Sequence, residues 1–93
     1  MKKSTADRRQ APRRPASGEV RLRQAGLIAP AFAGRLVDMS ATGFRARHSC
    51  LTLGCGARVA YESERGNGMA CAVWTRIVGR EAETGFQIIP GNS

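Results

Sequence analysis

Helix signals are absent from this sequence. No window of about a dozen residues carries an apolar stripe at helical spacing between recognisable caps, so helical bundles and doubly wound α/β folds are excluded. Aromatic residues are few, with one Trp, one Tyr and three Phe. A protein that stacks a succession of nucleic-acid bases would have little to stack them on. Cysteine is sparse and odd in number (Cys50, Cys55 and Cys71), which argues against a secreted disulfide scaffold. The expectation is three reduced thiols serving as small apolar side chains. His48 is the sole histidine. Its spacing from Cys50 and Cys55 fits no zinc knuckle and no fourth ligand stands near, so no metal centre is expected and His48 reads as a surface strand residue. No His stands beside a candidate nucleophile, and there is no phosphate loop or paired-carboxylate arrangement, so no enzyme is expected.

Long apolar runs are also missing, so no segment spans a bilayer as a helix. Ala25 to Gly34 (AGLIAPAFAG) follows a basic stretch and ends like a cleavage site. Its apolar part is short, Pro30 interrupts it and Glu19 lies upstream. It is therefore not read as a signal peptide, and the cytoplasm is the expected compartment.

Positive charge is abundant. Lys and Arg number 15 against 7 Asp and Glu, a formal net charge of +8, and all the cations but Lys2 and Lys3 are arginine. Arg presents a planar fork that takes phosphate or guanine edges bidentately and stacks on flat rings, which Lys does not. Lys2, Lys3, Arg8, Arg9, Arg13 and Arg14 crowd residues 1–17 with only Asp7 to oppose them. An anionic partner met by this segment is one reading, and a solubilising tail is the other.

Ninety-three residues suffice for one domain with a thin core. Residues 1–17 are polar, basic and broken by Pro12 and Pro15, and read as a flexible arm. From residue 18 to 93 the pattern is one of short alternating runs between glycines. Val20 and Leu22, Phe44 and Ala46, and Val59 and Tyr61 each share one face of a strand-like run. A longer run extends from Cys71 to Val78, another from Gly85 to Ile89, and Gly66-Asn67-Gly68 reads as a hairpin turn. About six short strands suggest an all-β fold, a small antiparallel barrel without exposed edges. Ser93 follows the last run closely, so no substantial C-terminal helix is expected.

Two constellations carry chemistry. Arg9-Gln10-Ala11-Pro12-Arg13 is flanked by Arg8 and Arg14, and Asp38-Met39-Ser40-Ala41-Thr42-Gly43 comes about 25 residues later. A guanidinium can bridge guanine O6 and N7 or clamp phosphate oxygens. Asp38 can accept from a guanine edge, Ser40 can donate to a phosphate or base acceptor, and Gly43 allows a close backbone approach. Taken alone, Asp38 to Gly43 reads more simply as a closed turn. Arg45 and Arg47 alternate outward after it and read as a solvated strand face. Trp74 shares its expected face with Ala72 and Arg76, and is either the main core aromatic or an outward stacking surface.

Arg-x-x-x-Arg followed by Asp-x-Ser-x-x-Gly resembles the PilZ family. Leu53-Gly54 before Arg58–Glu62, Ala72 to Arg76, and Thr84-Gly85-Phe86 are also similar to that family's later segments. The resemblance implies a six-stranded barrel that binds cyclic di-GMP on its outer surface through Arg8, Arg9, Arg13, Asp38, Ser40, Gly43 and Trp74. An Arg at position 8 implies two ligands per chain. It further implies a bacterial receptor with no cofactor that passes a signal to a downstream protein. The alternatives are a basic β-barrel that binds RNA or DNA, which leaves Asp38 without a role, and a PilZ-like barrel that mediates protein contacts only.

Overall fold

The computed structural model describes residues 14–26, 28 and 30–90. It is all-β: β1 is Arg14–Pro15, β2 Glu19–Gln24, β3 Phe32–Met39, β4 Gly43–His48, β5 Arg58–Ser63, β6 Gly66–Val78 and β7 Glu81–Ile89. The longer strands succeed one another around a ring in the order β3-β2-β5-β6-β7-β4, and β4 pairs back onto β3 to close it. All pairings are antiparallel. Six strands thus form a closed barrel. Among the described residues there is no helix, and hence none that could cross a membrane.

Alternation in the sequence builds the interior. Val20 and Leu22 of β2, Phe44 and Ala46 of β4, and Val59 and Tyr61 of β5 all point inward and are buried. Phe44 sits at the centre, with ring centroids 4.9 Å from Phe86 and 5.1 Å from Tyr61. Leu36, Leu53, Ala70 and Ala72 complete the cluster. Small residues on β6 leave room for the three rings in a barrel of this size.

The first strand is an extension of the second. Arg14 and Pro15 pair with Met39 and Asp38, Ala16 N–H donates to the Val37 carbonyl at 3.2 Å, and β2 resumes beside β3 from Glu19. Gly18, with φ +112°, sits at the irregularity between them. Arg14 and Pro15, inside the segment read as an arm, are therefore already paired strand. Residues 1–13, with Arg8, Arg9 and Arg13, lie outside the described residues.

Further expectations are corrected. The β5–β6 turn is Glu64-Arg65, because Ser63 pairs with Gly66 and its hydroxyl accepts the Arg65 N–H at 3.1 Å. Gly66-Asn67-Gly68 is thus strand. Cys55 is exposed, so it is no apolar filler, and all three thiols are free. Trp74 does not share a face with Ala72, because β6 holds an extra residue between their register positions.

His48, read as a surface residue, is only 2% exposed. It falls on the inward side of β4 with Phe44 and Ala46. Cys50 N–H donates to its Nδ1 at 3.1 Å, which places the ring proton on Nε2, 2.7 Å from Thr84 Oγ1. Thr84 Oγ1 lies in turn 2.8 Å from Thr75 Oγ1. Burial pushes the His48 pKa down, opposed in part by the Glu81 carboxylate. The folded chain therefore binds its proton less readily than the unfolded chain. Stability from this group is present above the ordinary histidine pKa of about 6.5 and is lost as pH falls below it. An NMR titration of this single histidine should give a midpoint below that of an unstructured peptide, and a midpoint at or above it would contradict the assignment.

Candidate functional site

A strict period of two would have turned the site residues into the core. Leu36 of β3 points into the core, so Asp38, two residues on, would point there as well. A bulge intervenes: Leu36 pairs with Ala46 but Asp38 pairs with Arg45, leaving Val37 as the extra residue. β6 repeats the device. Ala72 pairs with Phe86 but Trp74 pairs with Gly85, leaving Val73 as the extra residue. Each bulge flips the later residues of its strand onto the opposite face. Ala72 is consequently core while Trp74 and Arg76 lie outside.

The two bulges complete one rung across the outer surface. Pro15, Asp38, Arg45, Gly85 and Trp74 are successive register partners on β1, β3, β4, β7 and β6. Gly85 is required by its neighbour. A Cβ built there would lie 2.4 Å from Trp74 Nε1 and 2.8 Å from its Cζ2, so the indole lies down over the glycine. Trp74 is half-buried in this position, outside the core cluster.

Arg45 and Arg47 are not a solvated face. Arg45 donates to Asp38 Oδ2 from Nε at 2.7 Å and from a terminal nitrogen as well, and it reaches Glu83 Oε2 at 3.3 Å. The bonds to Asp38 raise the Arg45 pKa still further, so its charge is fixed. Glu83 is 1% exposed and also receives Arg47 Nε at 3.2 Å and Arg76 at 3.5 Å. These residues form the next rung, Arg35, Arg47, Glu83 and Arg76. A shallow depression of about 670 Å³ borders it, with Arg35, Arg47 and Glu81 on its wall.

Glu83 and Gly85 carry site geometry that sequence reasoning did not single out. A carboxylate in a strand whose neighbours bear Arg45, Arg47 and Arg76 was the available signal, but the cross-strand register is needed to use it.

The Asp-x-Ser-x-x-Gly segment closes a tight turn between β3 and β4. Ser40 N–H donates to the Gly43 carbonyl at 2.8 Å, and the Ser40 hydroxyl accepts the Thr42 N–H at 3.2 Å. At Gly43 a Cβ would meet the Phe86 carbonyl oxygen at 2.4 Å, so this glycine admits the neighbouring strand β7. Ser40 therefore stands in the turn that follows Asp38, with its hydroxyl engaged there.

The structure thus brings Asp38 and Trp74 onto one rung of the barrel wall, with Asp38 only 7% exposed, and Ser40 and Gly43 shape the turn that follows Asp38. Arg14, one residue after Arg13, is the register partner of Met39. The chain from Arg14 accordingly joins the barrel next to Asp38. Among the described residues no three His, Cys, Asp or Glu side chains gather as a metal site. No protein-family model matches the sequence, and no curated protein aligns with it significantly.

Proposed function

We propose that this protein is a non-enzymatic receptor for cyclic di-GMP. The observation that carries the reading is the rung running from Pro15 through Asp38, Arg45 and Gly85 to Trp74. The arginine-rich segment enters at one end of it and an indole lies at the other. Cyclic di-GMP offers two phosphates and two guanines, and the rung and the arginines that precede it in sequence offer groups to match them. Arg9 and Arg13 pair with phosphate oxygens or guanine O6 and N7. Asp38 orients Arg45 and supplies the carboxylate of the rung, the group type suited to guanine N–H donors. The Trp74 face takes a guanine by stacking, and Arg45 adds a fixed positive charge beside it. Arg8 takes part in holding a second ligand against the first, since two ligands bring twice the phosphate charge to be neutralised.

Binding draws the arginines that precede the paired Arg14 and Pro15 against the barrel and changes the surface shown to a downstream protein in the bacterial cytoplasm. Charge pairing drives this switch. The resemblance to the PilZ family adds to this reading, because its two motifs stand in order and at suitable spacing.

The test is a titration of Trp74 fluorescence with cyclic di-GMP. Trp74 is the sole tryptophan, so its signal is unambiguous. The emission should change saturably and break at about two ligands per chain, and Arg8→Leu should move the break toward one. A wild-type break near one ligand sinks the role given to Arg8. An unchanged emission with saturating ligand removes Trp74 from the site. If mixed oligonucleotides compete on equal terms, the barrel is a nucleic-acid binder instead.

A further inference from the structure

Five of the six barrel strands are paired along both edges over nearly their whole length, and β6 differs. Its first half pairs with β5 as far as Cys71, and a backbone bond from Ala72 N–H to the Ala57 carbonyl at 2.8 Å extends that edge by one residue. From Val73 to Val78 only β7 lies alongside. Among the described residues nothing pairs with the opposite edge. Two of the exposed large hydrophobic residues of the protein, Val73 at 52% and Ile77 at 59%, sit on this short stretch. An open edge carrying apolar side chains is a template for another strand.

The sequence of this edge, Val73-Trp74-Thr75-Arg76-Ile77, says which strand fits. Two copies related by a two-fold axis through Thr75 pair antiparallel with Val73 opposite Ile77, Trp74 opposite Arg76 and Thr75 opposite Thr75. Both apolar residues are then covered. The Arg76 guanidinium of one copy lies beside the Trp74 indole of the other as its direct cross-strand neighbour. Thr–Thr is likewise a favourable cross-strand pair. A register shifted by one residue about Arg76 would set two guanidinium groups against each other. A two-fold axis requires such self-complementarity, and an unrelated partner would not.

We propose that this edge of β6 is a homodimer interface, in which two barrels join their sheets through Val73 to Ile77 in the Thr75-centred register. Trp74 belongs to both the edge and the candidate ligand site. The second copy therefore contributes Arg76 beside the indole and adds a positive charge to the site. That consequence rests on the receptor reading, whereas the edge pairing does not. The contact is small compared with the roughly 1,200–2,000 Å² of a stable interface, and each chain has a formal net charge of +8. The dimer is therefore weak, and screening salt strengthens it.

Sedimentation equilibrium on the full chain without ligand tests the pairing. Wild type should self-associate reversibly, and more strongly at higher salt. Val73→Lys and Ile77→Lys each change two contacts per dimer and should weaken association by about tenfold or more. The double variant Val73→Glu, Ile77→Lys should restore it, because only this register sets the new carboxylate against the new ammonium across the interface. Circular dichroism on each variant establishes that the barrel is intact. Wild type that stays monomeric at millimolar concentration and high salt overturns the proposal, as does a double variant no better than the singles. Calorimetry with cyclic di-GMP on the same samples separates the two ideas: ligand binding by a strict monomer defeats only the dimer, and a dimer that binds no ligand defeats only the receptor.

Discussion

Gly43→Ala should destabilise the barrel by about 2–4 kcal/mol, a large part of the total for a domain of this size. The added methyl would lie 2.4 Å from the Phe86 carbonyl oxygen and 3.5 Å from the Gln87 Cα. Both are backbone atoms of β7, held in the ladder that pairs Gly43 with Gln87 and Phe44 with Phe86. A flexible side chain could turn away, but a paired strand cannot. Relief requires β4 and β7 to separate where Phe44 and Phe86 stack, at the centre of the core. Urea unfolding should show the loss as a lower midpoint with an unchanged slope. A change below about 0.5 kcal/mol, typical of a tolerant surface site, would mean that Gly43 is not what brings these strands together. The prediction separates two roles that the motif glycine could have, a structural one and one of ligand approach. It also contrasts with Gly85→Ala, where the obstacle is the Trp74 ring. A side chain can swing out, so that variant should retain more stability while disturbing the ligand face.

Arg9→Ala, Arg13→Ala and Asp38→Ala should each weaken cyclic di-GMP binding by about 10- to 150-fold. That range corresponds to the loss of one charge-assisted contact at about 1.5–3 kcal/mol. Asp38 has a second duty, because its carboxylate holds Arg45 through two hydrogen bonds to Oδ2. Its removal frees Arg45 to fall back on Glu83, 3.3 Å away, and tilts the centre of the rung. Asp38→Ala should therefore lower both affinity and thermal midpoint, and its binding must be measured well below its melting range. Competition against a fluorescent cyclic di-GMP analogue gives the affinity ratios. Three variants that bind like wild type would remove the two motifs from the site.

The sequence allowed the barrel to be foreseen because its strands β2, β4 and β5 alternate cleanly. Val20, Leu22, Phe44, Ala46, Val59 and Tyr61 all occupy the inner face that their spacing assigns. β3 was harder to see, since Ala33, Gly34 and Arg35 make a weak alternation and the bulge at Val37 breaks it. The facing of Trp74 could not be settled from spacing, because one extra residue in β6 reverses it. His48 is a different case, since its spacing continues the inward face of Phe44 and Ala46 and only its polar partner was hidden. Its partner Thr84 lies on β7 and is itself bonded to Thr75 of β6, and these hydroxyls make a polar interior position tolerable. Arg45 and Arg47 looked like a solvated face for a similar reason, since Asp38 and Glu83 approach them only across strand pairs. Local periodicity thus indicated the strands, whereas the site depends on two register shifts and on contacts between strands far apart in sequence.

Titration calorimetry of the full chain with cyclic di-GMP tests the central claim most directly. The rung from Asp38 to Trp74, together with Arg8, Arg9 and Arg13, predicts a saturable heat with about two ligands per chain, and a chemical-shift change at the Trp74 indole in a parallel NMR titration. No heat and no shift change with ligand in the high micromolar range would contradict it.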